Sequence, residues 1–278
     1  MRTFARGGLV FDVRDEGPQD GIPVVLLHGF PQDSTAWDAV VPQLHEVGFR
    51  TLAPNQRGYS PRARPSSVAS YRTRETAEDV IALLDAAKVE KAHVVGHNWG
   101  GAVAWAVASE WPDRVLTLTS VSTPHPAAMR SVMLSSTQAF KSWYMGLFQI
   151  PRVSEFLFSP GGPAWQAVTS GLPTHQAHHY SQRMESPGAL SAALNWYRVL
   201  PREILIPSMK VGEILAPTLF VWGDQDPSFG RAATEKTAEF VTGKYLFTIL
   251  PGVGHWVPET APELLAQAVL AHIQRTEI

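Results

Sequence analysis

Val94-Val95-Gly96-His97-Asn98-Trp99-Gly100-Gly101 is the stretch that decides the fold. It follows an apolar run that starts at Ala92 and opens the Ala- and Val-rich segment Gly101 to Glu110, so it reads as a strand turning sharply into a helix. Its frame is G-x-N-x-G. A turn this tight needs small residues two places either side of Asn98, because a Cβ there is expected to collide with the strained central residue. With serine at its centre the same frame is a nucleophile elbow. A neutral carboxamide is a very poor nucleophile, so Asn98 is the residue that any functional reading has to explain.

Outward from this turn, strands and helices alternate. Strands are expected at Leu9 to Val13, Val24 to Leu27, Arg50 to Ala53, Ala92 to Val95 and Val115 to Val121. Ser34 to Glu46 reads as one helix capped by Ser34 or Thr35, and Thr73 to Ala87 as another, with Ala77, Val80, Ile81, Leu84 and Ala87 at helical spacing. Such alternation predicts a mainly parallel sheet with helices on both faces. Sites in such sheets form beyond the carboxyl ends of the strands, where the elbow, the His28 loop and the Arg57 loop all fall.

From about Pro124 to Val211 the texture changes to helical segments broken by Pro and Gly and dense in aromatic residues: Ala127 to Phe148, Ala164 to Ser170, His175 to Met184 and Gly188 to Leu200. This predicts an inserted helical cap at 124–211 between two parts of one core, 1–123 and 212–278. The core pattern then resumes with strands at Thr218 to Trp222 and Tyr245 to Leu250 and helices at Arg231 to Phe240 and Ala261 to Gln274.

Composition narrows the function. A chain of 278 residues, 45% hydrophobic, can bury one large core with such an insert. A net charge of -2 gives no reason to expect nucleic acid or an anionic membrane as partner. With no cysteine there is no disulfide, thiolate metal site or thiol nucleophile. Met1 to Arg6 carries no apolar leader segment and no apolar run approaches the length of a membrane span, so the expectation is a cytoplasmic protein. His175, His178 and His179 lack the carboxylate or Cys spacing of a metal site, and no metal or cofactor is expected.

Two further segments follow predicted strands: Gly223-Asp224-Gln225-Asp226-Pro227 and Gly254-His255-Trp256. With the elbow they give the chain order nucleophile, acid, histidine, the order of α/β-hydrolases. In such a set the histidine takes a proton from water or a nucleophile while a carboxylate fixes its tautomer and stabilises the imidazolium. The exit His28-Gly29-Phe30-Pro31 is placed to offer the N–H of Phe30 beside that of Trp99, two fixed donors for a developing oxyanion.

These motifs resemble α/β-hydrolases over nearly the whole chain, and within them the epoxide hydrolases. The resemblance is carried by His28-Gly29-Phe30-Pro31, the Arg57-Gly58-Tyr59-Ser60 loop, the elbow, and Asn195-Trp196-Tyr197-Arg198 in the cap. It implies an eight-stranded sheet, selects Asp226 over Asp224 as partner of His255, and makes Tyr197 one of two cap tyrosines that hydrogen-bond the epoxide oxygen. Tyr144, in Trp143-Tyr144, is the expected second. His28, Trp99, Trp143, Trp196 and Trp256 are expected to line the substrate site.

The implied reaction is attack of an elbow aspartate on an epoxide carbon, giving an ester that His255 and water then hydrolyse. The aromatic cap predicts a small apolar substrate, aryl-substituted for preference. Dehalogenases share the machinery but usually place Asn or Glu where Phe30 lies, or Arg where Trp99 lies, and neither pattern fits. The chain departs from the family at Asn98, where the family has aspartate. Three readings follow: an introduced Asp→Asn change that leaves a site able to bind and nearly unable to turn over, a natural variant that binds ligand or does other chemistry, or an Asn98 that hydrolyses in place to a working aspartate.

Overall fold

The computed structural model describes residues 1–132 and 144–276, with only the backbone of Tyr144. Among these, eight strands form one sheet: β1 (Thr3–Arg6), β2 (Leu9–Glu16), β3 (Pro23–Leu27), β4 (Arg50–Pro54), β5 (Ala92–His97), β6 (Val115–Val121), β7 (Thr218–Gly223) and β8 (Tyr245–Leu250). Their order is β1-β2-β4-β3-β5-β6-β7-β8. Only the β1/β2 and β2/β4 pairs are antiparallel; from β4 to β8 the sheet is parallel.

The apolar runs of β3 and β5 fit this place, since central parallel strands are covered on both faces. Val25 and Leu27 pack towards the helices Thr73–Ala86 and Trp99–Glu110, while Val24 and Leu26 pack towards Val41–Glu46 and Pro262–Gln274. Each such side chain fully buried contributes about 1.5–3 kcal/mol. The result is a rigid sheet whose carboxyl-end loops carry Phe30, Arg57, Asn98, Asp226 and His255.

The small residues of the elbow are required for a different reason from the one their spacing implied. A Cβ on Gly96 would lie 2.2 Å from the carbonyl oxygen of Gly100, and one on Gly100 would lie 2.0 Å from that of Leu27. The position whose Cβ would strike Asn98 is Gly29, at 2.3 Å from the Asn98 Cβ. Three missing methyl groups therefore let the end of β3 and the start of the elbow helix meet.

Other differences have local causes. β1 was not expected: its four residues turn only Phe4 inward, too few for a visible alternation. Ser34 to Glu46 is not one helix, because Pro42 cannot bond back to Asp38. The chain makes a 3-10 turn at Ser34–Trp37 and restarts at Val41 with Pro42 in the first turn. Asp33 is the cap, accepting the Thr35 N–H at 2.9 Å.

Between β6 and β7 the described segments are helical: Pro126–Val132, Tyr144–Phe148, Val153–Phe158, Trp165–Val168, Thr174–Glu185, Ala189–Arg198 and Leu200–Leu205. The expected helix Ala127 to Phe148 runs partly outside the described residues, as does Trp143. This layer is tied to the core beneath it by polar contacts. Arg72 meets Glu203 at 2.5 Å, the Trp196 indole N–H donates to the Arg57 carbonyl at 2.9 Å, and Tyr180 donates to Glu259 at 3.0 Å. Among the described residues no helix is long and apolar enough to cross a membrane.

Gly100→Ala is expected to destabilise the chain by about 3 kcal/mol or more, since its Cβ meets backbone that cannot move aside. Urea unfolding checks this, and an unchanged midpoint would contradict it.

Candidate active site

β5 ends at His97, and the next residue takes φ 52° and ψ -121°, a left-handed conformation rarely adopted by a side chain with a Cβ. Such a residue carries about 1–3 kcal/mol of strain and persists only where its surroundings hold it. Here the Asn98 N–H donates to Val121 O at 3.3 Å, and Thr123 Oγ1 donates to the Asn98 carbonyl at 2.8 Å. The side chain is thereby lifted off the sheet.

Its carboxamide is held at both ends. Oδ1 accepts the N–H of Phe30 at 3.1 Å and that of Trp99 at 2.8 Å. Nδ2 donates to Nε2 of His255 at 2.9 Å. That nitrogen must then carry the lone pair, which leaves the His255 proton on Nδ1, and Nδ1–H donates to Asp226 Oδ2 at 2.8 Å. The other carboxylate oxygen of Asp226 accepts the N–H groups of Ser228 at 2.7 Å and Phe229 at 3.2 Å. Asp226 is buried, whereas Asp224 is exposed and accepts the N–H of Gly252 at 2.8 Å as a turn carboxylate. Asn98, Phe30, Trp99, Asp226 and His255 thus come together from four separate segments.

Above Asn98 lies a cavity of about 400 Å³, lined by Phe30, Leu147, Phe148, Val168, Tyr197 and Trp256 among others. A second space of about 280 Å³, lined by Trp99, Met129 and Met209 among others, also reaches Asn98 and Tyr197. The Tyr197 ring stands over the elbow with centroids 5.6 Å from Phe30, 5.0 Å from Trp99 and 4.5 Å from Phe148. Its backbone is pinned where Gln149 donates to the Tyr197 carbonyl at 2.8 Å.

Two expected lining residues are not in either cavity. His28 is fully buried: Nδ1–H donates to Gly29 O at 2.9 Å and Nε2 accepts the Gln56 N–H at 3.1 Å, so the ring braces two loops. Trp196 packs on Trp99 and Tyr59, behind the site. Trp143 lies outside the described residues and the Tyr144 side chain is not described. His179 accompanies Arg183 at the buried Asp33 carboxylate, 3.0 and 3.1 Å away.

A layer of support was missed in the sequence. His97 Nε2–H donates to the His255 carbonyl at 2.8 Å, and Ser122 Oγ donates to the same oxygen at 3.1 Å. Gln32 accepts the Gly29 N–H at 2.7 Å and donates to Glu259 at 2.6 Å. His97 sits inside the elbow motif, one residue before Asn98, and as an inward-facing polar residue closing an apolar strand it was the one readable signal.

The geometry defines the class: a parallel α/β sheet with a nucleophile elbow, a histidine and a carboxylate at its carboxyl edge. Comparison with known proteins agrees. The family described as alpha/beta hydrolase fold matches residues 22–262. The AB hydrolase superfamily protein YfhM of Bacillus subtilis is 32% identical over 275 residues, 96% of this chain and 95% of that one. The chain belongs to the α/β-hydrolase fold family. Within it, its kinship is with the epoxide hydrolases. Epoxide hydrolase A of Mycobacterium tuberculosis is 28% identical, covering 95% of this chain and 94% of its own. The crystal structure of epoxide hydrolase A from Mycobacterium thermoresistibile superposes with a TM-score of 0.85 at 26% identity, over 98% of this chain and 97% of that one.

Burial pushes the Glu259 carboxyl from 4.5 up to about 7, although Gln32, Tyr180 and the nearby His255 pull it the other way. Between those values the folded chain keeps a proton that the unfolded chain has lost, so stability falls as pH rises through the window, by about 3 kcal/mol in all. Glu259→Gln is expected to flatten this slope, with its largest gain over the parent at pH near 8. Urea unfolding of both at pH near 5 and near 8 checks this, and parallel profiles would contradict it.

Proposed function

We propose that this epoxide-hydrolase-type α/β-hydrolase is built to convert a small apolar epoxide, aryl-substituted for preference, to a vicinal diol through an ester at position 98. One observation carries the reading: Asn98 lies with its carbonyl oxygen between two backbone N–H donors and its other terminal atom on the His255–Asp226 pair. Residues 124–211 act as a cap that encloses the substrate.

With a carboxylate at position 98, the oxygen facing His255 attacks an epoxide carbon, and the C–O bond on that carbon breaks. Tyr197, with Tyr144 as the expected second phenol, protonates the leaving alkoxide, a task suited to a pKa near about 10. In the second step His255 Nε2 takes a proton from water as the water oxygen adds to Cγ of the ester. The negative charge develops on Oδ1, where the Phe30 and Trp99 N–H groups already point, so no reorganisation is needed. Asp226 stabilises the imidazolium, which then protonates the departing alcohol oxygen. Trp256, Phe30 and Trp99 form apolar walls for the substrate.

With Asn98 the first step has no attacking anion, and the chain as translated is nearly inactive in epoxide opening. The neutral amide favours one other reading, a ligand-binding protein on the same scaffold, and a single experiment separates the two. Asn98→Asp is expected to hydrolyse styrene oxide to the diol at a rate several orders of magnitude above the freshly purified parent. Adding Tyr197→Phe to it should lower kcat about 100-fold. Binding of the epoxide without opening by Asn98→Asp would overturn the hydrolase reading.

A further inference from the structure

Asn98 is itself a carboxyl derivative, and the groups around it are those that hydrolyse one. Its C=O is polarised by two N–H donors at 3.1 and 2.8 Å. Its Cγ–N bond ends on Nε2 of His255 at 2.9 Å, and that imidazole is held in one tautomer by Asp226 at 2.8 Å. The cavity of about 400 Å³ is lined by both Asn98 and His255 and has room for a water beside them. The reaction proposed above hydrolyses an ester at this same Cγ, and the proton its imidazolium gives to the departing alcohol is the one an amide's leaving nitrogen cannot do without. His255 is already in hydrogen-bond contact with that nitrogen.

We propose that the site hydrolyses its own Asn98, converting the carboxamide to a carboxylate after folding and so supplying the nucleophile that the translated sequence lacks. The proposal rests on reading Phe30, Trp99, Asp226 and His255 as a hydrolytic set, and not on the identity of the substrate. His255 Nε2 takes a proton from water while the water oxygen bonds to Cγ, and the C=O pair moves onto Oδ1. The pair then returns, the Cγ–Nδ2 bond breaks, and His255 gives its proton to the departing nitrogen. Ammonia leaves, and the new carboxyl group loses its proton to solvent. One water is consumed, one ammonia is released, and nothing is oxidised or reduced.

The common route of asparagine deamidation, attack on Cγ by the next backbone nitrogen, is closed here. The Trp99 nitrogen donates to Oδ1 and opens the helix Trp99–Glu110, so it is held beside the carbonyl oxygen rather than over the face of Cγ. Attack by outside water leaves the backbone untouched. The two routes therefore give different products: only normally linked aspartate from water, and a mixture rich in isoaspartate from the backbone.

The test uses the full chain, purified cold and incubated at neutral pH in ordinary and heavy-oxygen water, with the peptide containing position 98 followed by mass. The expected gain is about 1 Da, or about 3 Da in heavy-oxygen water, with normal linkage at position 98. Asn55 and Asn195, away from this site, should stay unchanged. His255→Gln and Asp226→Asn are expected to slow the conversion about 100-fold, the worth of a positioned acid–base group. Should either variant fail to fold, the linkage and label readouts on the parent still decide. Asn98 left intact after long incubation, isoaspartate at that position, or equal rates in a folded His255→Gln would each overturn the proposal. Conversion without epoxide opening would leave it standing and sink the epoxide reading; Asn98→Asp opening epoxides while the parent keeps its carboxamide would do the reverse.

Discussion

The approach of β3's exit to the start of the elbow helix is the constraint on which the rest depends. Gly96 and Gly100 let backbone meet backbone, and Gly29 lets the Asn98 side chain in, at distances that any Cβ would block. Two N–H groups from distant parts of the chain, those of Phe30 and Trp99, consequently converge on one atom, Asn98 Oδ1. The left-handed backbone of Asn98 is strained, and that strain is what raises its side chain to the point of convergence. The electrostatics of the site thus follow from sterics: fixed dipoles aimed at one place, in a buried setting where they act strongly.

Around this point the sheet edge holds a histidine from two sides. Asp226, fastened by the Ser228 and Phe229 N–H groups, fixes the ring, while His97 and Ser122 fix the His255 carbonyl. Gln32 and Glu259 extend the same bracing to Tyr180 in the helical layer above. The Glu259 carboxyl, pushed up to about 7 by burial, ties the elbow's surroundings to the layer that carries Tyr197. Bracing of this kind keeps reacting groups within the tolerance that acid–base chemistry requires.

The fold was legible because its signals are local. The elbow frame, the apolar run of β5 and the helical spacing from Ala77 to Leu84 each carry their own periodicity or glycine pattern. β8 needed no more than its run from Tyr245 to Leu250. The candidate site was legible as three strand exits, Phe30, Asn98 and His255, with Asp226 selected by resemblance. What could not be read depends on partners far away in sequence. His28 looked like a wall residue and is a brace, because one ring nitrogen donates to the Gly29 carbonyl beside it and the other accepts the N–H of Gln56 from a different loop. Trp196 was expected in the cavity and instead reaches the Arg57 carbonyl. The glycines of the elbow were rightly marked, but the atom that Gly100 avoids, Leu27 O, comes near only when β3 and β5 are paired. Pro42 stood in plain view and still splits a helix that hydrophobic spacing alone had joined.

The central claim is that Cγ of residue 98 is the covalent centre of the site. Trapping tests it most directly. A chain carrying both Asn98→Asp and His255→Gln can make the ester and not break it, so incubation with styrene oxide should add the mass of one epoxide to the peptide containing position 98 and persist through digestion. An adduct mapped elsewhere, or consumption of the epoxide with the protein mass unchanged, would contradict the account.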